Sequence, residues 1–252
     1  MNSKRYNVLD CIRGFALLNM IAYHTIWDLV YLFGIDWKWY HSQGAYIWQQ
    51  GICWIFIFLS GFCWSLSKHP LKRGIIVFCG GALISCVTIL LMPQNRVLFG
   101  VLTLIGSCMI LVTILNKILQ KIYPLTGMSI CWILFIITRS INDGYLGFEK
   151  IHLLKLPKYL YQNLISSYLG FPKQGFYSTD YFSIIPWFFL FLSGYYLFHY
   201  MEEKDNLNKL AQKDFSALSW FGKHSFILYM IHQPIIYIIL ELIWKIYKYQ
   251  FR

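Results

Sequence analysis

Four ionisable residues lie within one apolar stretch near the start of the chain: Asp10, Arg13, His24 and Asp28. An α-helix advances about 100° per residue, so these four side chains fall in a stripe about 60° wide. The stripe runs about 27 Å along the helix, nearly the thickness of a bilayer core. Because ionisable groups facing lipid are costly, we expect the stripe to face a protein interior or a wet cavity.

Within this stripe, His24 and Asp28 are four residues apart and stack on neighbouring turns. A carboxylate beside an imidazole can fix its tautomer and raise its basicity, which is the arrangement of a general base. A buried hydrogen-bonded pair that holds helices together would show the same spacing, and the residues alone leave both readings open. Asp10 and Arg13 are predicted to form a local ion pair near the other end of the helix.

The last apolar stretch of the chain carries a second polar group, formed by Ser225, Tyr229, His232 and Gln233. At helical spacing Ser225, Tyr229 and His232 project within about 60° of each other. Tyr229, His232 and Gln233 could donate to an oxyanion in a dry site. Hydrogen bonding between helices is the alternative. Pro234 lacks a backbone donor and is expected to kink this helix.

Aromatic and acidic residues outside these stretches suggest a place for a sugar. The segment DWKWYHSQ, residues 36–43, combines rings that suit a membrane interface or a sugar with His41, which without further information is an ordinary solvated histidine. Asp180 and Trp187 could hold a sugar by hydrogen bond and stacking. An N-terminal helix cap is the alternative role for Asp180.

The elements that must position these residues are apolar helices. Of 252 residues, 58% are hydrophobic, 19% aromatic and only 13% charged, whereas soluble domains have about 25% charged residues. Lipid must therefore be the solvent for most of the chain. Candidate spans of roughly 20 residues lie at 12–33, 45–66, 74–91, 97–118, 126–141, 182–200 and 221–246.

These spans predict an all-α, polytopic membrane helix bundle with about seven transmembrane helices, forming a single domain over residues 1–252. The distribution of Lys and Arg places the N-terminus in the cytoplasm. An eighth, poorly apolar crossing at 152–169 is the alternative. We prefer seven, because Lys155 and Lys158 would otherwise lie in lipid, and an amphipathic segment at the external interface suits them better.

The net charge of +11 does not indicate nucleic-acid binding, because the basic residues lie mostly between apolar spans and no basic-aromatic stripe is present. Anionic lipid headgroups explain many of them. The phosphates of a charged cofactor are the other explanation, with Arg13, Lys72, Arg73 and Lys223 as candidates. The seven cysteines are predicted to be small core residues, and no metal site is expected.

Several segments, in order along the chain, resemble the catalytic family of heparan-α-glucosaminide N-acetyltransferases. They are RYNVLDCIRGFA at 5–16 followed by Met20 and His24, FIFLSG at 56–61, RVLFGVLTLIG at 96–106, DYFSIIPW at 180–187 followed by Gly194, and GKHSFILYMIHQP at 222–234. Each segment alone is a weak match. Their order over nearly the whole chain makes the resemblance fairly specific.

The resemblance implies acetyl transfer across a membrane, from cytoplasmic acetyl-CoA to an amino or hydroxyl group of an extracytoplasmic sugar. The family's catalytic histidine lies outside the first helix, and counting back from Gly61 places it at or next to His41. The family's asparagine within that helix falls on His24, which is a departure from the pattern. His41 is therefore the first candidate for the base. His24, oriented by Asp28, would hold the carbonyl or relay the proton.

The short chain suggests a bacterial member of the family, multi-pass in the bacterial cytoplasmic membrane, with a different acceptor. The expected partners are acetyl-CoA, an extracytoplasmic sugar or glycan, and membrane lipid, with a homo-oligomer left open and no nucleic acid. One alternative is a cell-surface O-acyltransferase that uses another acyl donor. Another is a small transporter or proton-coupled channel with Asp28 and His24 as a relay, against which the lack of an evident repeat counts.

Overall fold

The computed structural model describes residues 6–211 and 216–250, most of which are helical. The α-helices are α1 Asn7–Tyr31, α2 Gln43–Trp64, α3 Pro70–Leu91, α4 Val101–Leu119, α5 Pro124–Ile137, α6 Leu164–Leu169, α7 Ile184–Glu203, α8 Ser216–Lys223 and α9 Ser225–Gln250. Two antiparallel strands, β1 Tyr145–Phe148 and β2 Ile151–Lys155, form a hairpin between α5 and α6. Short 3-10 helices lie at Lys38–His41, Pro93–Asn95, Ile141–Asp143, Lys158–Leu160 and Leu207–Ala211.

Within the described ranges, six helices are long and apolar enough to cross a membrane: α2, α3, α4, α5 with its following 3-10 turn, α7 and α9. In α9 only 11% of the most apolar 18-residue stretch is buried, so most of its isoleucines and leucines face outward. An outward apolar surface of this extent is typical of a helix that faces lipid. The prediction of a helical membrane protein is therefore confirmed in its class. A count of seven spans stays a prediction, because α1 has 25 residues but is not among the six.

The structure differs from the sequence prediction in two of the proposed membrane-crossing segments. The last predicted span, 221–246, is interrupted at His224, where α8 ends and α9 begins. The stretch 152–169 holds most of β2, a 3-10 turn and the six-residue α6, so no single helix crosses there. The hairpin was not predicted. It depends on Gly147, whose φ is +144° and whose added Cβ would lie 1.9 Å from the Ile151 carbonyl oxygen, so only glycine fits.

The contacts divide the chain into two compact units. The first takes the described residues up to Phe56 and from Leu207 onward, and the second is Ile57–Asn206. In the second unit α3 packs on α4 and α5 packs on α7. Its core includes Tyr195, whose hydroxyl donates to Asn116 Oδ1 over 2.7 Å. The single domain expected from the sequence stays a prediction.

In the first unit, α1 packs against α8 and α9. Gly14 and Gly222 bring the α1 and α8 backbones together. A Cβ added to Gly14 would lie 2.0 Å from the Leu218 carbonyl oxygen, and one added to Gly222 would lie 1.9 Å from the Asp10 carbonyl oxygen. Small residues permit this approach. The crossing turns the polar stripe of α1 toward α8 and α9.

Candidate active site

Asp28 on α1 and Gln233 on α9 form a buried hydrogen bond. Asp28 is fully buried, and its Oδ1 accepts from Gln233 Nε2 over 2.5 Å. The other oxygens of the pair, Asp28 Oδ2 and Gln233 Oε1, are also buried and have no hydrogen-bond partner. Buried acceptors of this kind are rare in folded proteins and usually meet water, an ion or a ligand. The pair therefore marks a candidate binding position.

His24 lies one helical turn before Asp28 on α1, and His232 directly precedes Gln233 on α9. The two histidine rings face each other, with centroids 5.0 Å apart. His232 Nδ1 donates to the Tyr229 carbonyl oxygen over 2.6 Å. A carbonyl only accepts, so Nδ1 is assigned the hydrogen and the neutral ring has its lone pair on Nε2. That nitrogen is buried without a partner. His24, Asp28, His232 and Gln233 are called the α1–α9 cluster below.

The cluster differs from the predicted arrangement of its α1 residues. Asp28 was expected to orient His24, but in the described part of the chain no hydrogen bond joins them. The two side chains project from the same face of α1, and each meets a residue of α9 instead: Asp28 meets Gln233, and His24 meets His232. Residues on adjacent turns can both point to a neighbouring helix without touching each other.

A line of tyrosine rings connects this cluster to the exposed His41. Tyr23 lies 6.1 Å from His24 and 5.2 Å from Tyr40, measured between ring centroids. Tyr40 in turn lies 6.0 Å from His41, which also meets Tyr31 at 6.1 Å. His41 stands on the 3-10 helix Lys38–His41 and is exposed. The predicted base His41, the half-buried His24 and the buried His232 therefore belong to one unit and one continuous set of aromatic contacts.

Tyr40 is a residue of this site that the sequence did not single out. It is 7% exposed, and its hydroxyl is directed at that of Tyr23 without a well-formed hydrogen bond. Burial raises the pKa of the Tyr40 phenol well above its usual value, and Tyr23 raises it further. The hydroxyl therefore keeps its proton and is a buried donor. Its position next to His41 was the only available signal, because aromatic residues crowd this whole segment.

At the other end of α1, the expected ion pair is present. Arg13 Nη1 lies 3.1 Å from Asp10 Oδ1 and also 3.5 Å from the Gly222 carbonyl oxygen. Lys223, the next residue, is exposed, and no carboxylate partner for it lies in the described ranges. The structure thus brings Arg13 close to the backbone beside Lys223. Lys72 and Arg73 are exposed in the first turn of α3, in the second unit.

Asp180 and Trp187 have structural contacts within the second unit. Asp180 Oδ2 accepts from the Val101 N–H at the start of α4 over 3.2 Å, so it caps a helix distant in sequence. Burial raises the pKa of the Asp180 carboxyl to about 6, although the Val101 N–H lowers it. Trp187 is 3% exposed and has the Arg139 guanidinium 4.9 Å from its ring centroid. A sugar-binding role for either residue stays a prediction.

The described residues contain no group of three or more His, Cys, Asp or Glu side chains placed to hold a metal ion. All seven cysteines are described and none is in a disulfide; Cys11, Cys63, Cys108 and Cys131 are buried. Cys11 Sγ lies 3.2 Å from Ser219 Oγ between α1 and α8. The four buried thiols are small packing residues, as predicted. The prediction is wrong for Cys79 and Cys86, which are exposed on α3, and Cys53 is only half-buried.

The fold and the cluster together define a class: helical membrane proteins with a polar, histidine-containing site inside the protein. A family model described as "Heparan-alpha-glucosaminide N-acetyltransferase, catalytic" matches residues 5–234 of the 252. The chain belongs to this family, so it is a membrane transferase of the acetyltransferase type. The match includes all four residues of the α1–α9 cluster and ends directly after Gln233. Comparisons with curated proteins and with solved structures give no significant match.

Proposed function

We propose that the protein transfers an acetyl group from cytoplasmic acetyl-CoA to an amino or hydroxyl group of an extracytoplasmic sugar. Family membership supplies the reaction class. The observation that carries the proposal is the α1–α9 cluster, in which Asp28, His232 and Gln233 each have a buried polar atom without a partner. In an apolar helical protein such atoms are costly, and a polar substrate would satisfy them.

In this reaction the acceptor nitrogen or oxygen attacks the thioester carbonyl carbon. A C–N or C–O bond forms, the C–S bond breaks, and CoA leaves as a thiolate that takes up a proton. The acceptor loses a proton to a general base. His41 is the proposed base, because it is exposed beside the line of tyrosines and lies at or next to the position that the resemblance gives for the family's catalytic histidine.

The other polar side chains of the site differ in whether they donate or accept hydrogen bonds, and this decides which part of the reaction each can serve. The oxyanion formed on the carbonyl needs a hydrogen-bond donor in a dry site, and the buried Tyr40 hydroxyl is such a donor. Neutral His232 presents a lone pair at Nε2, so it suits the acceptor's N–H or O–H better than an oxyanion. Asp28 Oδ2 and Gln233 Oε1 are also hydrogen-bond acceptors that suit an N–H or O–H of the sugar. His24, next to His232, is proposed to relay the proton.

The donor site is proposed at the opposite end of α1. Arg13 and His24 are separated by about 16 Å of helical rise, along which the thin pantetheine arm could lie. Arg13 is neutralised by Asp10, so Lys223 contributes the free positive charge for the CoA phosphates. Lys72 and Arg73 lie in the second unit, and a phosphate-binding role for them stays a prediction from the sequence. This placement puts the N-terminus in the cytoplasm and the acceptor at the far side of the membrane.

The binding half of the proposal is tested by thermal unfolding of the purified protein in detergent with increasing acetyl-CoA. A ligand that binds only the folded state raises the melting temperature, by an amount set by its concentration over Kd. Lys223→Gln should weaken the shift, whereas Lys248→Gln, an exposed lysine near the other end of α9, should not. No shift at saturating acetyl-CoA in a folded sample would overturn the proposal.

A proton-coupled transporter is the second candidate, favoured by the contacts that connect exposed His41 to buried His232. Chains of ionisable residues within membrane helices are typical of proton relays. In liposomes this candidate predicts proton flux without acetyl-CoA, and flux that Asp28→Asn abolishes. The acetyltransferase predicts no such flux.

A further inference from the structure

Strand β2 of the hairpin is exposed along its whole length. All five of its residues are exposed, and Ile151, Leu153 and Leu154 are each more than 60% exposed. A strand with one buried face would alternate between buried and exposed side chains. Here both faces are open, although three of the five residues are large and apolar. Such surfaces mark interaction sites.

The pairing of the two strands adds to this exposure. Leu146 pairs with Leu154 and Gly147 pairs with His152, so Leu153 has no residue opposite it. Irregularities of this kind bend a strand and redirect side chains. Two further apolar residues are exposed after the hairpin, Tyr159 at 68% and Ile165 at 73%.

Three lysines border these apolar residues: Lys150 at the turn, Lys155 at the end of β2 and Lys158 just beyond it. All three are exposed, and none has a carboxylate partner between residues 6 and 211 or between 216 and 250. Of the nearby acids, Glu149 pairs with Arg139 and Asp143 is exposed. The region therefore has an excess of uncompensated positive charge. We call Lys150, Ile151, Leu153, Leu154, Lys155, Lys158 and Tyr159 the hairpin surface.

The hairpin is tied to the ends of two candidate membrane spans. Ser140, just after α5, donates its hydroxyl to the Glu149 carbonyl oxygen over 3.0 Å. Arg139 Nη2 lies 3.3 Å from Glu149 Oε1, and the same guanidinium lies over Trp187 in the first turn of α7. Because α5 ends and α7 begins here, these contacts hold the hairpin at the ends of the two candidate spans.

We infer that the hairpin surface binds anionic lipid headgroups of the adjacent leaflet. The lysines contact headgroup phosphates, and Ile151, Leu153 and Leu154 enter the boundary between headgroups and acyl chains. Basic residues beside exposed apolar ones are the pattern of interfacial segments, and each Lys near an anionic surface strengthens binding roughly fivefold. A water-facing partner protein would leave unexplained why the surface sits at the end of two spans. This binding is independent of the proposed acetyl transfer.

The test is hydrogen–deuterium exchange of the full chain in nanodiscs, followed in peptides covering 150–160. Nanodiscs contain phosphatidylcholine alone or phosphatidylcholine mixed with phosphatidylglycerol. Three lysines at roughly fivefold each strengthen binding about a hundredfold, so we expect phosphatidylglycerol to slow exchange in these peptides by at least about tenfold. The variant K150Q/K155Q/K158Q should lose that difference. The matched variant K117Q/K121Q/K204Q removes the same charge from exposed lysines at the opposite ends of α4, α5 and α7, and should keep it.

Four outcomes would overturn the inference. The first is equal exchange in both lipids. The second is loss of the difference in the matched variant as well. The third is the same protection produced in detergent by inorganic phosphate, which would assign the lysines to a free anion. The fourth is protection in detergent that rises with protein concentration, which would assign the surface to a second copy of the chain.

Discussion

Gln233 donates its side-chain amide to the Asp28 carboxylate over 2.5 Å, and this bond joins the two helices that hold the proposed site. The residues are 205 positions apart. Because Asp28 is fully buried, the bond satisfies one oxygen of a group that otherwise has no donor within the described chain. The position of α9 on α1 therefore depends on a polar contact inside an apolar unit.

Removing the donor should destabilise the protein. Gln233→Leu leaves the Asp28 carboxyl buried with no donor, and hydrogen bonds to charged groups are worth about 1.5–3 kcal/mol. We expect a clear fall in melting temperature in detergent. The double variant Asp28→Leu/Gln233→Leu should recover part of that loss, because both partners are then apolar. The single variant Asp28→Leu completes the comparison. A direct bond would be contradicted if the loss of stability in the double variant equalled the sum of the losses in Asp28→Leu and Gln233→Leu.

His232 offers a way to separate folding from activity. His232→Asn keeps a side-chain donor that can reach the Tyr229 carbonyl oxygen but removes the lone pair at Nε2. We expect it to keep the melting temperature and to lower kcat by about tenfold, because one hydrogen bond to the acceptor sugar, worth about 1–1.5 kcal/mol, is lost. His232→Ala should lower both the melting temperature and kcat. Wild-type kcat in a folded His232→Asn protein would show that Nε2 takes no part in the reaction.

The α1–α8 crossing should tolerate no side chain. In Gly14→Ala the new Cβ would lie 2.0 Å from the Leu218 carbonyl oxygen, and in Gly222→Ala it would lie 1.9 Å from the Asp10 carbonyl oxygen. Both variants should melt at lower temperature. Gly51→Ala on α2 is the matched control. Nothing lies within 4 Å of its added Cβ, so it should be neutral or gain up to about 1 kcal/mol from helix propensity. A Gly14→Ala protein as stable as Gly51→Ala would contradict this close contact.

The raised pKa of the Asp180 carboxyl should make the stability of the protein fall as the pH rises. Its pKa is raised to about 6 by burial, above the usual value near 3.9, so the folded state binds the proton more tightly than the unfolded state. The Asp180 contribution should therefore decrease as pH rises from about 4 to 6, by up to about 2–3 kcal/mol, and then level off. Asp180→Asn should flatten this part of the melting-temperature profile, and Asp143→Asn, an exposed residue, should not. An unchanged profile in Asp180→Asn would contradict the assignment.

Residue spacing predicted the features that lie within a single helix. The stripe from Asp10 to Asp28 follows from helical periodicity, and the Asp10–Arg13 pair from a separation of three residues. Both are present in the structure.

Contacts between distant segments were not predictable in the same way. Whether Asp28 meets His24 or Gln233 depends on how α9 lies on α1, and periodicity does not contain that information. Tyr40 was hidden among aromatic residues that all suit a membrane interface. The hairpin was missed because its exposed Leu153 and Leu154 resemble part of a buried segment. The break at His224 has no proline to mark it.

The most direct test of the account is acetyl transfer by the protein in liposomes, with acetyl-CoA on the cytoplasmic side and a panel of amino and neutral sugars on the other. CoA thiol release and the acetylated sugar are measured together. We expect both products in equal amounts, and a loss of both in His41→Ala. His69→Ala, an exposed histidine before α3, should retain wild-type rates. Equal rates in His41→Ala and His69→Ala would contradict His41 as the base, and no CoA release with any sugar, from a folded wild-type protein, would contradict the acetyltransferase itself.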